Sequence, residues 1–218
     1  DLEYEYRNKL QLPIRTEKYG IAIGFFAQNS HRIVPINDCP IQPYWCKKII
    51  KAVRTYISEC DVTAYSEESK VGLLKHIVVR DVDGKLIITI VINGKELPKA
   101  DRFIEILSES FSDFSLYANI NRDDTNVPES FMQVNDVVRR NIYRDAVRAA
   151  GIDSETIVID AYSGAGLLTA IFASRAKKAV GIEIVREAVD CADELKNFNG
   201  LDGKMENICA PCEEALPI

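Results

Sequence analysis

The chain has 218 residues, 47% of them apolar and 28% charged, a balance that excludes an intrinsically disordered protein. No apolar run approaches the length of a membrane span and no charged-then-apolar leader opens the chain, so no membrane partner is expected. Net charge is −6, but residues 1–54 carry nine Lys and Arg against five Asp and Glu, leaving −10 for the remainder. That asymmetry fits a basic binding end joined to an acidic half, and equally a chance imbalance of solvated charge.

Taken in chain order, the first part reads as mixed α and β. Residues 19–26 and 31–36 read as a hairpin joined through 27–30. Residues 43–60 predict a helix that places Ile49, Ile50, Val53 and Ile57 on one face. Segments 73–81 and 85–92 flank Asp83-Gly84, a strong two-residue hairpin signal. A helix over 98–110 and a strand over 114–121 complete a sheet with helices against it. Val127 then abuts Pro128 with hardly room for a linker, although domains are normally joined by an exposed polar stretch.

The second part opens with a helix over 135–150, with Asn135 as N-cap and Gly151 as its stop. Residues 156–159 (Thr-Ile-Val-Ile) read as a buried parallel strand. It runs into Asp160-Ala161-Tyr162-Ser163-Gly164-Ala165-Gly166 and then a helix over 167–175. A strand over 179–182 ends in Glu183. A helix over 186–198, stopped by Gly200, and a strand over 204–209 follow. Three strands are fewer than a nucleotide-binding sheet needs, and the chain starts at Asp1 without a methionine, so a fragment is expected.

The glycine turn is the stretch that names a ligand. Glycines let a backbone approach a ligand closely, and a helix N-terminus offers free N–H groups. A carboxylate at the end of the next strand, Glu183, can accept ribose hydroxyls. A dinucleotide fingerprint requires a third glycine where this chain has Thr169, and Asp160 would repel a pyrophosphate. The same carboxylate could take the ammonium of an amino-acid moiety. S-adenosylmethionine therefore fits the pattern better than NAD, and a nicotinamide-dependent dehydrogenase is rejected on Thr169.

Six cysteines without secretory features predict free thiols in a reducing, cytoplasmic compartment. Cys209 and Cys212 have C-x-x-C spacing, but no second pair or nearby histidine completes a zinc site.

Several pieces resemble the RNA uracil-5-methyltransferases, which methylate C5 of specific uridines in ribosomal or transfer RNA. They are Tyr6-Arg7-Asn8-Lys9, Gly24-Phe25-Phe26, Ser30-His31, Asp38-Cys39-Pro40-Ile41, the run from Gly72 to Arg80, Thr125-Asn126-Val127, Ser130-Phe131-Met132-Gln133-Val134-Asn135 and the glycine turn. The resemblance covers nearly all of the chain, in the family's order. It implies an α/β fold: a mixed α+β central domain over 1–127, then the first part of a Rossmann-like methyltransferase sheet over 128–218.

The resemblance also implies roles. Gln133 would line the cofactor site beside the methionine part. Asp160, Ser163, Gly164 and Gly166 match the cofactor turn, and Glu183 matches the ribose carboxylate. Cys39 resembles the last of four cysteines that hold a 4Fe-4S cluster in many members, and the other three would lie upstream of this chain. One thiolate cannot hold a cluster, so Cys39 is expected to be a free thiol here. The central domain is expected to bind RNA, ribosomal rather than transfer RNA, with 23S ribosomal RNA as the implied substrate. Arg7, Lys9, Arg15 and Arg80 are the candidate phosphate contacts, against ordinary surface charge. A monomer is the expected state.

Three departures from the family stand out. Members carry an extra hairpin between the Thr-Asn-Val strand and the Phe-x-Gln-Val-Asn box, and Ser163 stands where many have cysteine. The family's Asp-Pro-Pro-Arg motif, nucleophilic cysteine and glutamate base have no counterpart in this sequence. In the family the cysteine adds to C6 of uracil, C5 takes the methyl group, and a base removes the C5 proton, with the target base turned out of its stack. No catalytic residue is therefore assigned in this chain, and the 218 residues alone are expected to be inactive. The alternative is a non-catalytic RNA- or cofactor-binding module of the same architecture.

Overall fold

Apolar residues alternating along Leu10, Leu12 and Ile14 set one face of a strand that the sequence reading did not include, β1 (Lys9–Glu17). Pro13 hides it, because proline donates no bond to a ladder and argues against a central strand. In the computed structural model, which describes residues 3–122 and 135–216, Pro13 sits where β1 changes partner. Residues 9–13 pair with β4 (Leu74–Val82), and Ile14 onward pairs with β2 (Gly20–Phe26).

The chain divides into two compact units, Asp1–Val127 and Pro128–Ile218. In the first, β3 (Ile33–Pro35), β2, β1, β4, β5 (Lys85–Ile92) and β6 (Phe114–Ile120) form one sheet in that order. All neighbours are antiparallel except β5 and β6, which run parallel. The parallel pair needs a crossover, supplied by α2 (Ala100–Ser108). The β4–β5 hairpin closes through Asp83 and Gly84, both at positive φ, with Gly84 N–H donating to Asp81 Oδ1 at 2.9 Å.

α1 (Cys46–Cys60) lays Ile49, Ile50, Val53 and Tyr56 into a core shared with Leu10, Leu12, Ile77, Ile88 and Phe103 of α2. Tyr56 stacks on Phe103, ring centroids 4.4 Å apart, and its hydroxyl donates to the Pro98 carbonyl. Residues that alternate with this core along the strands, Lys9, Gln11, Val78, Arg80, Thr89 and Tyr117, form the opposite face of the sheet.

The second unit has the parallel order β7 (Ile157–Ala161), β8 (Lys178–Glu183), β9 (Met205–Cys209). α3 (Asp136–Ala149) opens on Asn135, whose side chain accepts from Val138 N–H at 3.0 Å. α4 (Leu167–Ala173) and α5 (Arg186–Phe198) are the crossovers, and a short α6 (Cys212–Ala215), not expected from the sequence, follows β9. Val158, Ala170, Phe172, Ala173, Ala179, Ala192 and Met205 make a small core.

The expectation of a fully buried strand at 156–159 needs correction. β7 is an edge strand among the described residues, and Ile157 and Ile159 on its outer face are 63% and 55% exposed. Its β-branched run signals sheet propensity, and burial depends on what covers each face.

Candidate functional site

Three parallel strands place their C-terminal ends side by side, which is where the chain turns from β7 into α4. Asp160, Gly181 and Asn207 share one row across β7, β8 and β9 on the face that carries the helices. Gly166 lies at φ 74° as the N-cap of α4, a left-handed conformation that glycine adopts without a steric cost. A Cβ there would stand 2.6 Å from Ala192 Cβ, so this glycine also lets α4 close on α5. Gly164, at φ 56°, has no atom within 4 Å of where a Cβ would stand, so its backbone lies open to a ligand.

Glu183 ties the turn to the next strand. Its Oε2 accepts from Gly164 N–H at 2.9 Å, and its Oε1 accepts from Ile184 N–H at 2.9 Å and Val185 N–H at 3.0 Å. A carboxylate offers about four lone pairs. Three are engaged by these bonds, which leaves one, on Oε2, for a ligand hydroxyl. Ser163 is held by its own backbone, its N–H donating to the Ile182 carbonyl at 3.0 Å and its carbonyl accepting from Gly166 N–H at 3.1 Å.

Asp160 points back under α4, where its Oδ2 accepts from Thr169 Oγ1 at 2.6 Å. Burial pushes its carboxyl above the ordinary range, and the Thr169 bonds pull it partly back. A half-buried carboxylate of this kind gains from a cationic neighbour. Thr169, read in the sequence only as a missing glycine, is fully buried and supplies the hydroxyl that this carboxylate needs.

The row beneath the helices holds further residues that sequence reasoning missed. A side chain at Gly181 would meet Ser163 Oγ at 2.9 Å, Thr169 Oγ1 at 3.0 Å and Asn207 Oδ1 at 3.2 Å. Asn207 Nδ2 donates to Asp193 Oδ1 at 2.9 Å, and with Lys196 it holds the Asp193 carboxyl below its usual range. Tyr162, at φ 61° and largely exposed, reaches Glu213 of α6 with its hydroxyl. No local pattern marks these residues, because their partners lie on other strands and helices. A separate polar cleft of about 420 Å³ includes none of the turn residues, and its two lysines, Lys178 and Lys196, are paired with Glu206 and Asp193.

The structure thus brings Asp160, Ser163, Gly164, Gly166 and Glu183 together, and Gln133 lies outside the described residues. In the first unit Lys9 stands directly opposite Arg80 in the β1–β4 register. Arg7 is half-buried, its N–H bonded to the Ile41 carbonyl. Arg15 has a different place. It is 6% exposed, pairs with Glu67 at 3.0 Å, and donates to the carbonyls of Ile14 and Lys75 between the rings of Phe26 and Tyr65. A buried guanidinium with its donors engaged is not available to a phosphate, so Arg15 belongs to the scaffold of this unit. Cys39 is half-buried against the core beside Cys46, whose thiol is pushed up to about 12 by burial and then by Asp38 and Cys39. Among the described residues, no three His, Cys, Asp or Glu side chains gather as a metal centre, and a lone Cys39 does not fit an iron–sulfur cluster.

No family model matches the chain. Two curated proteins named as uncharacterized RNA methyltransferases match it closely. One from Clostridium tetani is 33% identical over 98% of this chain and 53% of its own length, and one from Oceanobacillus iheyensis is 32% identical over 97% and 53%. The chain belongs with these RNA methyltransferases over nearly its whole length, and it spans about half the length of the curated relatives it matches. The Clostridium match runs over 244 positions, more than this chain has residues, so that relative carries residues within the matched stretch that have no counterpart here. Among solved structures, the tRNA (uracil-54, C5)-methyltransferase of Pyrococcus abyssi in complex with S-adenosyl-L-homocysteine superposes with a TM-score of 0.75. That match covers 94% of this chain and 55% of the other at 22% identity, and it establishes the shared α/β fold.

Proposed function

We propose that the second unit holds S-adenosylmethionine and that the whole protein uses it to methylate C5 of a uridine in RNA, with 23S ribosomal RNA as the substrate class. The observation that carries this reading is the closed link between turn and acidic residue, Gly164 N–H to Glu183 Oε2, at the ends of two parallel strands. Bound there, S-adenosylmethionine supplies an activated methyl group on its sulfonium. The residues of this chain bind and orient it. The free lone pair of Glu183 takes a ribose hydroxyl, the open backbone at Gly164 admits close approach, and Asp160 attracts the ammonium of the methionine part. Gln133 completes the cofactor set, and Arg7, Lys9 and Arg80 contact phosphates from the first unit. The S-adenosyl-L-homocysteine held by the Pyrococcus protein and the names of the curated relatives support this assignment.

The 218 residues lack counterparts of the family's nucleophile and base, so the chain binds cofactor without transferring methyl. Calorimetric titration of the chain tests this. S-adenosylhomocysteine binds and NAD does not, and Glu183→Gln weakens binding about ten- to a hundredfold, the loss of one charge-assisted hydrogen bond. NAD binding, or affinity unchanged in Glu183→Gln, overturns the cofactor assignment. Methyl transfer by the chain alone to a uridine-containing RNA overturns the proposed inactivity.

A further inference from the structure

Helix α1 breaks a local electrostatic rule. Its first turn contains Lys47 and Lys48 and no acidic residue, although the N-terminal end of a helix carries partial positive charge and favours anions. Lys51 and Arg54 continue the series. Lys47, Lys51 and Arg54 stand at i, i+4 and i+7, one row along the helix, with Lys48 one turn before Lys51. Like charges at this spacing repel. The row lies outside the buried face formed by Ile49, Ile50, Val53 and Tyr56.

Several other cations of the described residues are ion-paired: Arg102 with Glu59 and Glu105, Lys85 with Asp113, Lys177 with Glu155, Lys178 with Glu206. Among the described residues, none forms an ion pair with the row on α1. The helix's one acid, Glu59, is held at 2.7 Å by Arg102 of α2. At the head of the row, Tyr44 is 69% exposed, with Lys48 Nζ 5.8 Å from its ring centroid. A mutually repelling row of cations beside an exposed aromatic ring is the combination that a nucleic-acid strand complements through phosphates and a stacked base.

We infer that Tyr44, Lys47, Lys48, Lys51 and Arg54 form an RNA-backbone contact surface on α1, in addition to the Lys9 and Arg80 pair. Successive members of the row rise about 4.5–6 Å along the helix, comparable to the separation of neighbouring phosphates on one strand. This inference rests on the reading that the protein acts on RNA, and it assigns the surface that holds the strand.

The test uses the 218-residue chain and a fluorescein-labelled single-stranded oligouridylate, followed by anisotropy across a salt series. The triple variant Lys47→Gln, Lys51→Gln, Arg54→Gln is expected to lower the salt slope by about two, since each phosphate contact on a single strand contributes roughly 0.7. Affinity at low salt falls at least tenfold. A control triple with the same charge change at ion-paired lysines, Lys85→Gln, Lys177→Gln and Lys178→Gln, is expected to leave the slope within a few tenths of wild type. Lys47→Arg with Lys51→Arg retains binding, and matched circular dichroism establishes that each variant is folded. If the first triple fails to fold, the exposed single reversal Lys51→Glu is measured instead, with a slope change of about one or more expected.

An unchanged slope, an equal loss in the control triple, or a wild-type chain that does not bind the oligouridylate overturns the inference. So does a loss confined to binding of anionic phospholipid vesicles. Titration with S-adenosylhomocysteine separates the two readings: cofactor binding without RNA binding removes the α1 surface and leaves the cofactor assignment standing.

Discussion

Replacing Gly166 by alanine should unfold the glycine turn for two separable reasons. The first is conformational, because φ is 74° and an L-residue in the left-handed region costs about 1–2 kcal/mol. The second is steric. The new methyl would stand 2.6 Å from Ala192 Cβ, 3.3 Å from Ala192 Cα and 2.9 Å from Met205 Cε. The methionine end can swing away, but Ala192 Cβ is one bond from the α5 backbone and cannot. Overpacking of this kind costs about 1–3 kcal/mol, which brings Gly166→Ala to roughly 2–5 kcal/mol.

Gly164→Ala is the matched control. Its φ is 56° and its Cβ meets nothing within 4 Å, so it carries only the conformational cost of about 1–2 kcal/mol. In a domain of this size each kcal/mol lowers Tm by about 4–8 °C, so the two variants should differ by several degrees in a melt followed by circular dichroism. Adding Ala192→Gly to Gly166→Ala removes the collision and should recover about 1 kcal/mol relative to additivity in a double-mutant cycle. Equal losses for the two glycines, or strict additivity with Ala192→Gly, would refute the claim that Gly166 exists to let α4 close on α5.

Three further outcomes are expected. Thr169→Val removes the hydroxyl from Asp160, costs about 1–3 kcal/mol for an unsatisfied half-buried carboxylate, and moves the Asp160 carboxyl further up in a carbon-detected NMR titration; Thr169→Ser leaves both near wild type. Arg15→Met removes the Arg15–Glu67 pair, leaves Glu67 with His31, and lowers Tm while RNA affinity stays within about twofold, since one surface-inaccessible charge contributes nothing to counterion release; a lost salt slope would return Arg15 to the RNA surface. S-adenosylhomocysteine binding should weaken as pH falls through the raised Asp160 value, above the ordinary 3.8, and Asp160→Asn should flatten that profile. In the ligand-free chain the sign is opposite. A carboxyl raised by folding binds its proton more tightly in the native state, so its contribution to stability is present at low pH and lost as pH rises through the folded value.

Much of the site was legible in the chain itself. Asp83-Gly84 named its hairpin, Asn135 its cap, and Asp160 to Gly166 with Glu183 the strand–turn–helix that gathers them, because turns and caps are decided by residues within a few positions of one another. The same local logic failed at β1, where Pro13 argued against a strand that survives by changing partner at that residue. It also overstated the burial of β7, since propensity says nothing about what lies over a face.

Tertiary structure decided the rest. Arg15 looked like a phosphate contact until Glu67, 52 residues away, and the carbonyls of Ile14 and Lys75 enclosed it. Thr169 looked like a deficient glycine until its hydroxyl met Asp160. The repulsive row on α1 was present in the sequence as four basic residues, but which cations lacked partners depended on where Glu59 and Arg102 came to rest. The chain order set the glycine turn and its acidic companion. Whether a given charge is spent inside the fold or left for a ligand depends on contacts between residues far apart in sequence, and no local pattern encodes those.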